Sequence, residues 1–398
     1  MVVHKYGGSS VATTEKILDI AKSLKDIYDK KEQIVVVVSA MGKTTNKLIS
    51  LAHEITSNPD KREMDRLMST GENQTIALLS IALNSLGVPS VSYTGEQLEI
   101  KTKGVHMKNT IESINKDKIL KALDENKVVI VAGFQGVNAI GDVTTLGRGG
   151  SDTTAVALSC VLKCKCEIYT DVDGIYRIDP RIYSDAKKIQ NISYEEMMEL
   201  AYLGAGVMEP RAIELGYKYG VPIYVGKTLG LKNGTNITKE RNNMEDQEIT
   251  GISVNSNTLM VTIDGIPTYA HNLEPIFQKA SELGINIDII SHNDVISENG
   301  SIAFTTPRTD ENLIKELFDS VKISADTKIL INKNVVKVSL VGIGMMTHGS
   351  VVAKIFNVLS ENNLSFHQIS TSEISISLIV DESISNQVAS LLAKKFNI

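Results

Sequence analysis

Gln33–Ser39 reads QIVVVVS, an unbroken apolar, β-branched run with a polar residue at each end. A strand that puts valines and isoleucines on both of its faces needs a covering layer on each side. Similar short runs recur at Val2–Tyr6, Val88–Tyr93, Val128–Gly133, Cys166–Thr170 and Ile223–Gly226. Between them lie stretches of helical periodicity: Thr14–Lys30, Lys61–Leu86 as two segments around a polar turn at Ser69–Asn73, Asp117–Glu125, Ser151–Leu162, Tyr194–Leu203 and Glu209–Tyr219. Strands alternating with helices predict a mostly parallel sheet sandwiched between helical layers. Ligands of such sheets collect beyond the carboxyl ends of the strands, where the polar, glycine-bearing turns of this chain fall.

Asn233–Glu248 is polar, charged and nearly free of large apolar residues, and reads as a linker and domain boundary. The pattern then changes. Leu259–Asp264, Leu273–Leu283, Ile285–Ser291, Ser301–Thr306 and Glu311–Asp319 read as strand, helix, strand, strand and helix. Val335–Val341, Gly349–Glu361, Leu364–Ser370, Ile374–Val380 and Asn386–Ala393 repeat that order. A doubled β-α-β-β-α pattern is that of two ferredoxin-like units. Ile252–Val254 is a strand left over, available to complete the second copy's sheet.

A length of 398 residues leaves room for two or three domains, each with its own core. The net charge of −6 argues against a nucleic-acid partner, which normally leaves a basic footprint. MVVHKYGG does not begin a signal peptide, and the apolar runs are too short to span a bilayer, so a cytoplasmic protein with no membrane partner is expected. Cys160, Cys164 and Cys166 lie close together without a nearby histidine, and read as small core-filling residues rather than metal ligands.

Chemistry concentrates in a few turns. Thr144–Ala155, TTLGRGGSDTTA, sets Gly147, Arg148, Gly149, Gly150 and Asp152 just before an apolar helix. Glycines let backbone amides approach an anion, a helix N-terminus adds its dipole, and arginine grips carboxylate or phosphate through paired hydrogen bonds. Lys5 ends the first strand before Gly7, Gly8, Ser9 and Ser10, as either a phosphate cradle or a solvated lysine ahead of a tight turn. Ser39–Asn46, SAMGKTTN, contains GKT, but a Walker-type loop needs glycine where Val37 stands, so that reading is rejected. Ser39 and Thr45 there are candidate hydrogen-bond donors or merely local caps. Ser69–Glu72, STGE, reads as the opening of a helix, with Glu72 either capping it or facing an ammonium. Tyr169–Arg181, YTDVDGIYRIDPR, is an acidic loop that either caps a nucleotide or is simply solvated.

Together these segments resemble the aspartate kinases of the amino acid kinase superfamily. Lys5–Val11, KYGGSSV, is similar to that family's KFGGTSV, with Tyr6 and Ser9 keeping aromatic and hydroxyl character. VVVVSAMGKTTN, STGE, GFQG, TTLGRGGSDTTA and TDVDGIYRIDPR follow in the family's order, and the C-terminal repeat resembles a pair of ACT domains. The resemblance implies an α/β, three-layer amino acid kinase fold with a mostly parallel central sheet over residues 1–232, a linker at 233–248, and ferredoxin-like βαββαβ ACT domains at 249–331 and 332–398.

It also implies roles. ATP, carrying Mg2+ mainly through its phosphates and water, would transfer its γ-phosphoryl group to the β-carboxylate of L-aspartate. Lys5 would contact phosphate beside Gly7, Gly8 and Ser9, and Asp152 would organise the lysine at the reaction centre. Ser39, Thr45, Glu72, Arg148 and Ser151 would hold aspartate, Arg148 on its α-carboxylate and Glu72 on its amino group. Thr170, Asp171, Tyr176, Arg181 and Lys227 would line the nucleotide. Lysine, threonine or both would bind as effectors near Asn286, Asp288, Ile289, Ser291, Met345, Ser350 and Val351. Gly344–Val351 lacks the proline that many relatives carry in this turn. A homodimer or dimer of dimers through the ACT modules is implied. Two other readings compete: a kinase for glutamate, acetylglutamate or UMP, disfavoured by STGE and the ACT pair, and a silent amino-acid sensor, disfavoured by the presence of Lys5, Glu72, Arg148 and Asp152. No fused homoserine dehydrogenase is expected after the second module.

Overall fold

The first strand, β1 (Val2–Tyr6), is buried along its whole length and lies inside the main sheet. The computed structural model describes residues 1–239, 248–266, 269–293, 300–321, 327–346 and 349–398. After β1 come α1 (Thr14–Asp29), β2 (Ile34–Val38), α2 (Thr44–Ile55), α3 (Lys61–Ser85), β3 (Ser90–Tyr93), β4 (Ile100–Lys103), β5 (Thr110–Ile114) and α4 (Asp117–Asp124). Then follow β6 (Val128–Ala132), β7 (Gln135–Val137), β8 (Val143–Thr145), α5 (Gly150–Leu162), β9 (Lys165–Thr170) and the two-residue β10 (Ile175–Tyr176) and β11 (Lys188–Ile189). β12 (Asn191–Ser193), α6 (Tyr194–Tyr202), α7 (Pro210–Tyr219), β13 (Ile223–Lys227) and β14 (Thr235–Thr238) complete this half. Two units emerge: Met1–Ile175 with Lys188–Ala201 and Gly206–Met244, and Tyr176–Lys187 with Tyr202–Ala205 and Glu245–Ile398.

In the first unit the main sheet runs β12-β14-β13-β9-β1-β2-β6-β3. Every pairing in it is parallel except β13 with β14. Apolar residues of α1 and α3 cover one face, with Ile17, Ile20, Leu24, Leu79 and Leu83 packed on Val36, Val38 and Ile130. The α5 helix lies against β1, β2 and β9, its first ten residues all buried. Register sets the working edge: Tyr6 pairs with Val38 and with Tyr169, Val38 with Ala132, and Thr170 with Lys227. Gly7, Ser39, Gly133, Asp171 and Thr228 therefore leave the sheet at the same end.

Within the first unit, several features differ from the sequence reading. Lys61–Ser85 is a single 25-residue helix, so STGE lies mid-helix rather than at an N-terminus. Its hydroxyls are absorbed within the helix, Ser69 donating to Arg66 O, Thr70 to Leu67 O and Thr75 to Gly71 O. Such back-bonding satisfies polar groups that would otherwise favour a turn. The polar GKTTN stretch starts α2, and a separate four-stranded sheet, β5-β4-β7-β8, holds the chain before the glycine loop. Residues 235–238, read as linker, are β14, because Thr235 and Ile237 bury completely between β12 and β13; residues 240–247 of that stretch lie outside the described residues.

The second unit contains β15 (Gly251–Ile266), α8 (Ala270–Glu282), β16 (Ile290–Asn293), β17 (Gly300–Thr306), α9 (Glu311–Ser320), β18 (Lys328–Val341), α10 (Ser350–Glu361), β19 (Gln368–Thr371), β20 (Ser375–Asp381) and α11 (Ser385–Phe396). Its sheet runs β16-β17-β15-β18-β20-β19. Ile252–Val254 and Leu259–Asp264, read as separate strands, form one 16-residue strand. Gly251–Asn255 pairs with Lys337–Val341, and Met260–Asp264 with Lys328–Asn332. Two apolar cores follow, one around Phe304, Ile276 and Leu317, the other around Leu340, Ile355 and Leu392. Ile178, with Ile182 and Tyr183 beside it, packs into the latter. No helix among the described residues is long and apolar enough to cross a membrane.

Gly71 shows which effect decides a position. Alanine there would gain about 1 kcal/mol of helix propensity. Its Cβ, however, would stand 2.8 Å from Ala40 Cβ, in the loop after β2. Overpacking of this kind costs roughly 1–3 kcal/mol. Gly71→Ala should therefore lower the thermal midpoint; a raised midpoint would show that the Ala40 loop yields freely.

Candidate active site

Two loops meet first. Gly7 N–H donates to Tyr169 O at 3.1 Å, turning the chain off β1, and Gly42 N–H donates to Gly8 O at 2.9 Å. A Cβ on Gly8 would meet Ala40 O at 2.9 Å, so only glycine permits this approach. Lys5, 8% exposed, points its ammonium into the edge, where Nζ stands 2.6 Å from Asp152 Oδ1. Asp152 lies in the first turn of α5, whose N-cap Gly149 has φ 63° and offers no side chain to the helix. The Gly150 and Asp152 amides turn back to Gly147 O and Gly149 O, so the positive charge at this helix start comes from its dipole and from Lys5 beside Asp152.

Glu72 enters from α3 and is 3% exposed. Its Oε1 accepts the Ala40 N–H at 3.0 Å, while Oε2 is buried without a protein partner among the described residues. Burial pushes its carboxyl up to about 7, against the opposing pull of the Ala40 N–H. A buried carboxyl with one open oxygen suits an incoming ammonium. Ser151 is buried, and a Cβ on Gly133 would overlap its side chain at 2.8 Å, which brings the end of β6 against α5. Arg148 is exposed between Gly147 (φ 81°) and Gly149 (φ 63°). Ser39 and Thr45 are half-buried, on the loop after β2 and in the first turn of α2.

The remaining assignments divide. Thr170 and Lys227 end paired strands, and Asp171, exposed, accepts from the Thr170 hydroxyl at 3.0 Å. Ser9 is exposed at the adjoining turn. Tyr176 and Arg181 belong to the segment grouped with the second unit, and the Arg181 guanidinium is held by Asp179 at 2.6 Å. Of the effector assignments, Asn286, Asp288 and Ser350 are exposed, Ser291 and Met345 half-buried, and Ile289 buried. Val351 points into the core, which leaves only its backbone for a ligand. Asp288 is already paired with Lys337, a lysine 3% exposed.

Sequence reasoning missed Glu209. A Cβ on Gly149 would stand 2.4 Å from Glu209 Cβ, so this carboxylate packs on the glycine loop. Burial raises its carboxyl, and the charge of Asp152 adds to the rise. Only its place before Pro210, the helix-starting proline of α7, marked it in the sequence. The hydroxyls of Ser10 and Thr228, 2.6 Å apart beside Thr170, were also missed.

Comparison with known proteins bears on this constellation. Residues 1–227 match the amino acid kinase family, and residues 338–396 match an ACT domain. An aspartokinase of Geobacillus stearothermophilus is 43% identical over 383 residues, 96% of this chain and 93% of that protein. The crystal structure of E. coli aspartokinase III with aspartate and ADP (R-state) superposes with a TM-score of 0.84 at 24% identity, covering all of both chains. The same enzyme with lysine and aspartate (T-state) gives 0.77 at 24% identity, over 100% of this chain and 99% of that one. At that identity these two structures speak to the fold.

The raised carboxyl of Glu72 predicts a pH-dependent cost. A carboxyl whose folded pKa lies above its unfolded value stabilises the fold below the unfolded value, and that contribution is lost as pH rises through the folded one. Between its ordinary value of 4.5 and about 7, Glu72 should therefore lose the fold roughly 3 kcal/mol. Glu72→Gln should be more stable than the parent at pH 8 and equal to it below pH 4.5, read by thermal denaturation across pH. Parallel curves would remove Glu72 as the titrating group.

Proposed function

The chain belongs to the aspartokinase family, and from that premise we propose that it phosphorylates the β-carboxylate of L-aspartate with ATP, giving 4-phospho-L-aspartate, the first step of the pathway to lysine, threonine and methionine. The observation that carries this reading is the Lys5–Asp152 pair in the first turn of α5, with the unpartnered Glu72 oxygen entering from α3. The aspartate carboxylate is already ionised near neutral pH, so no base is required. One of its oxygens attacks the γ-phosphorus in line, the bond to the β-phosphate bridging oxygen breaks, and ADP departs. The protein's task is to bring two anions together and offset the charge that builds between them. Lys5 supplies that charge, and Asp152 fixes its ammonium. Arg148 takes the α-carboxylate, Glu72 the ammonium, and Ser39, Thr45 and Ser151 the remaining polar atoms.

ATP would lie along Gly7, Gly8 and Ser9 toward Thr170, Asp171 and Lys227. Mg2+ would come with it, held by phosphates and water; Asp171 is an exposed carboxylate of the hard-oxygen type that this ion prefers. The catalytic domain runs to 239 in this reading, and the two ACT modules share 249–398, Gly251–Asn255 serving the second. Lysine, threonine or both act there as effectors; the related enzyme crystallised with lysine supports the first. The open edges of β16 and β19 favour a homodimer or a dimer of dimers. Three free cysteines suit a reducing cytoplasm.

Trapping the acyl phosphate with hydroxylamine tests the reaction. Product is expected with aspartate and not glutamate, falling when lysine or threonine is added. Lys5→Ala should lower kcat by about 10²–10³. Arg148→Ala should chiefly raise the aspartate KM. Turnover of glutamate in place of aspartate would overturn the substrate assignment, and a mass of one chain at micromolar concentration in light scattering would overturn the dimer.

A further inference from the structure

Asp65 is wholly buried in α3, seven residues before Glu72 and so on the same helix face. Nothing in the reaction above uses it, yet its carboxylate is the meeting point of two segments. Oδ1 accepts the Thr145 hydroxyl at 2.5 Å and the Met107 N–H at 3.0 Å; Oδ2 lies 2.6 Å from His106 Nδ1 and 3.1 Å from the Met107 nitrogen. Met107 is held at φ 69°, a left-handed conformation unfavourable for a side chain of its size.

The held turn abuts the glycine loop. Asn109 N–H donates to Thr145 O at 3.1 Å, and a Cβ on Gly147 would meet Met107 O at 3.3 Å. From α7, Arg211 donates to Leu146 O at 2.8 Å and to Asn109 O at 3.0 Å. Leu146 N–H donates to Phe134 O at 2.9 Å. Thr145 and Leu146 are thus fixed through hydroxyl, carbonyl and amide alike. Immediately after them come Gly147, Arg148 and Gly149, with positive φ at both glycines. Arg148 lies in the turn closed by the Gly150 N–H on Gly147 O, so the direction in which it leaves the fold is set by this base on one side and by the start of α5 on the other.

We propose that Asp65 is a positioning residue for aspartate capture, holding Thr145 and the 104–109 turn so that Arg148 meets the substrate carboxylate in register with Glu72. The same face of α3 then sets both ends of the amino-acid site. This inference rests on the assignment of Arg148 to the α-carboxylate.

Steady-state kinetics of the full chain, varying each substrate, test it with Thr145→Val and Asp65→Asn. Thr145→Val removes one hydroxyl and leaves the Asp65 bonds to His106 and Met107 in place. Each variant should raise the aspartate KM roughly tenfold, with the ATP KM within about twofold of the parent, since a misplaced binding group loses orientation rather than charge. In an Arg148→Ala background, Thr145→Val should add less than about twofold, because both changes act through one contact. Parental aspartate KM in Thr145→Val, with only a lower thermal midpoint, would reduce Asp65 to a structural role. Full multiplication of the two effects would also overturn the route through Arg148. An unchanged aspartate KM in Arg148→Ala alone would instead sink the Arg148 assignment, and this inference with it.

Discussion

The parallel register of three buried strands is the constraint on which the first unit depends. β1 lies between β2 and β9, with Tyr6 level with Val38 on one side and Tyr169 on the other. Ladder hydrogen bonds on both edges leave β1 no freedom to slip, and a one-residue shift would turn Lys5 to the opposite face. Because neighbouring strands point the same way, their exits converge, and loops far apart in sequence become one surface. Glycine is needed where those exits crowd, at Gly8 against Ala40 and at Gly133 against Ser151. Side chains there would push the edge apart.

Charge is then handled by burial rather than by number. Lys5 and Asp152 stand as a close, largely buried pair, and removing either partner from such a pair leaves an uncompensated charge. That penalty keeps the lysine directed at one place. Glu72 is treated in the opposite way, with one oxygen held by Ala40 and the other left open, so that burial raises its carboxyl until a cation arrives. The first unit thus carries a paired cation and a buried carboxyl with one open oxygen. That asymmetry suits a zwitterionic substrate whose carboxylate must meet a phosphate.

The alternation of apolar strands and helices made the main sheet legible, because a strand buried on both faces leaves a run such as IVVVV that little else explains. The residues at its carboxyl edge were legible for the same reason: Lys5, Gly7, Gly8, Ser39 and Lys227 each end or follow such a run. What was hidden depends on distant partners. STGE looked like a helix start because serine, threonine and glycine favour caps, and only the approach of Ala40 accounts for glycine mid-helix. β14 was taken for linker because three of its four residues are polar and the strand gains its burial from β12 and β13. Glu209 carries only the weak signal of a residue before a helix-starting proline; its place on the glycine loop comes from contact with Gly149, sixty residues earlier in the chain.

The second unit follows a different logic. β15 and β18 run antiparallel to each other for nearly their whole length, and each contributes to both repeats. A change of spacing in one half must therefore bend strands that the other half shares. Within that frame Asp288 faces Lys337, a buried ammonium from β18. Drawing Asp288 toward a ligand would strand that ammonium, at a cost of several kcal/mol for a buried charge left alone. A ligand that engages Asp288 must then bring Lys337 another anion.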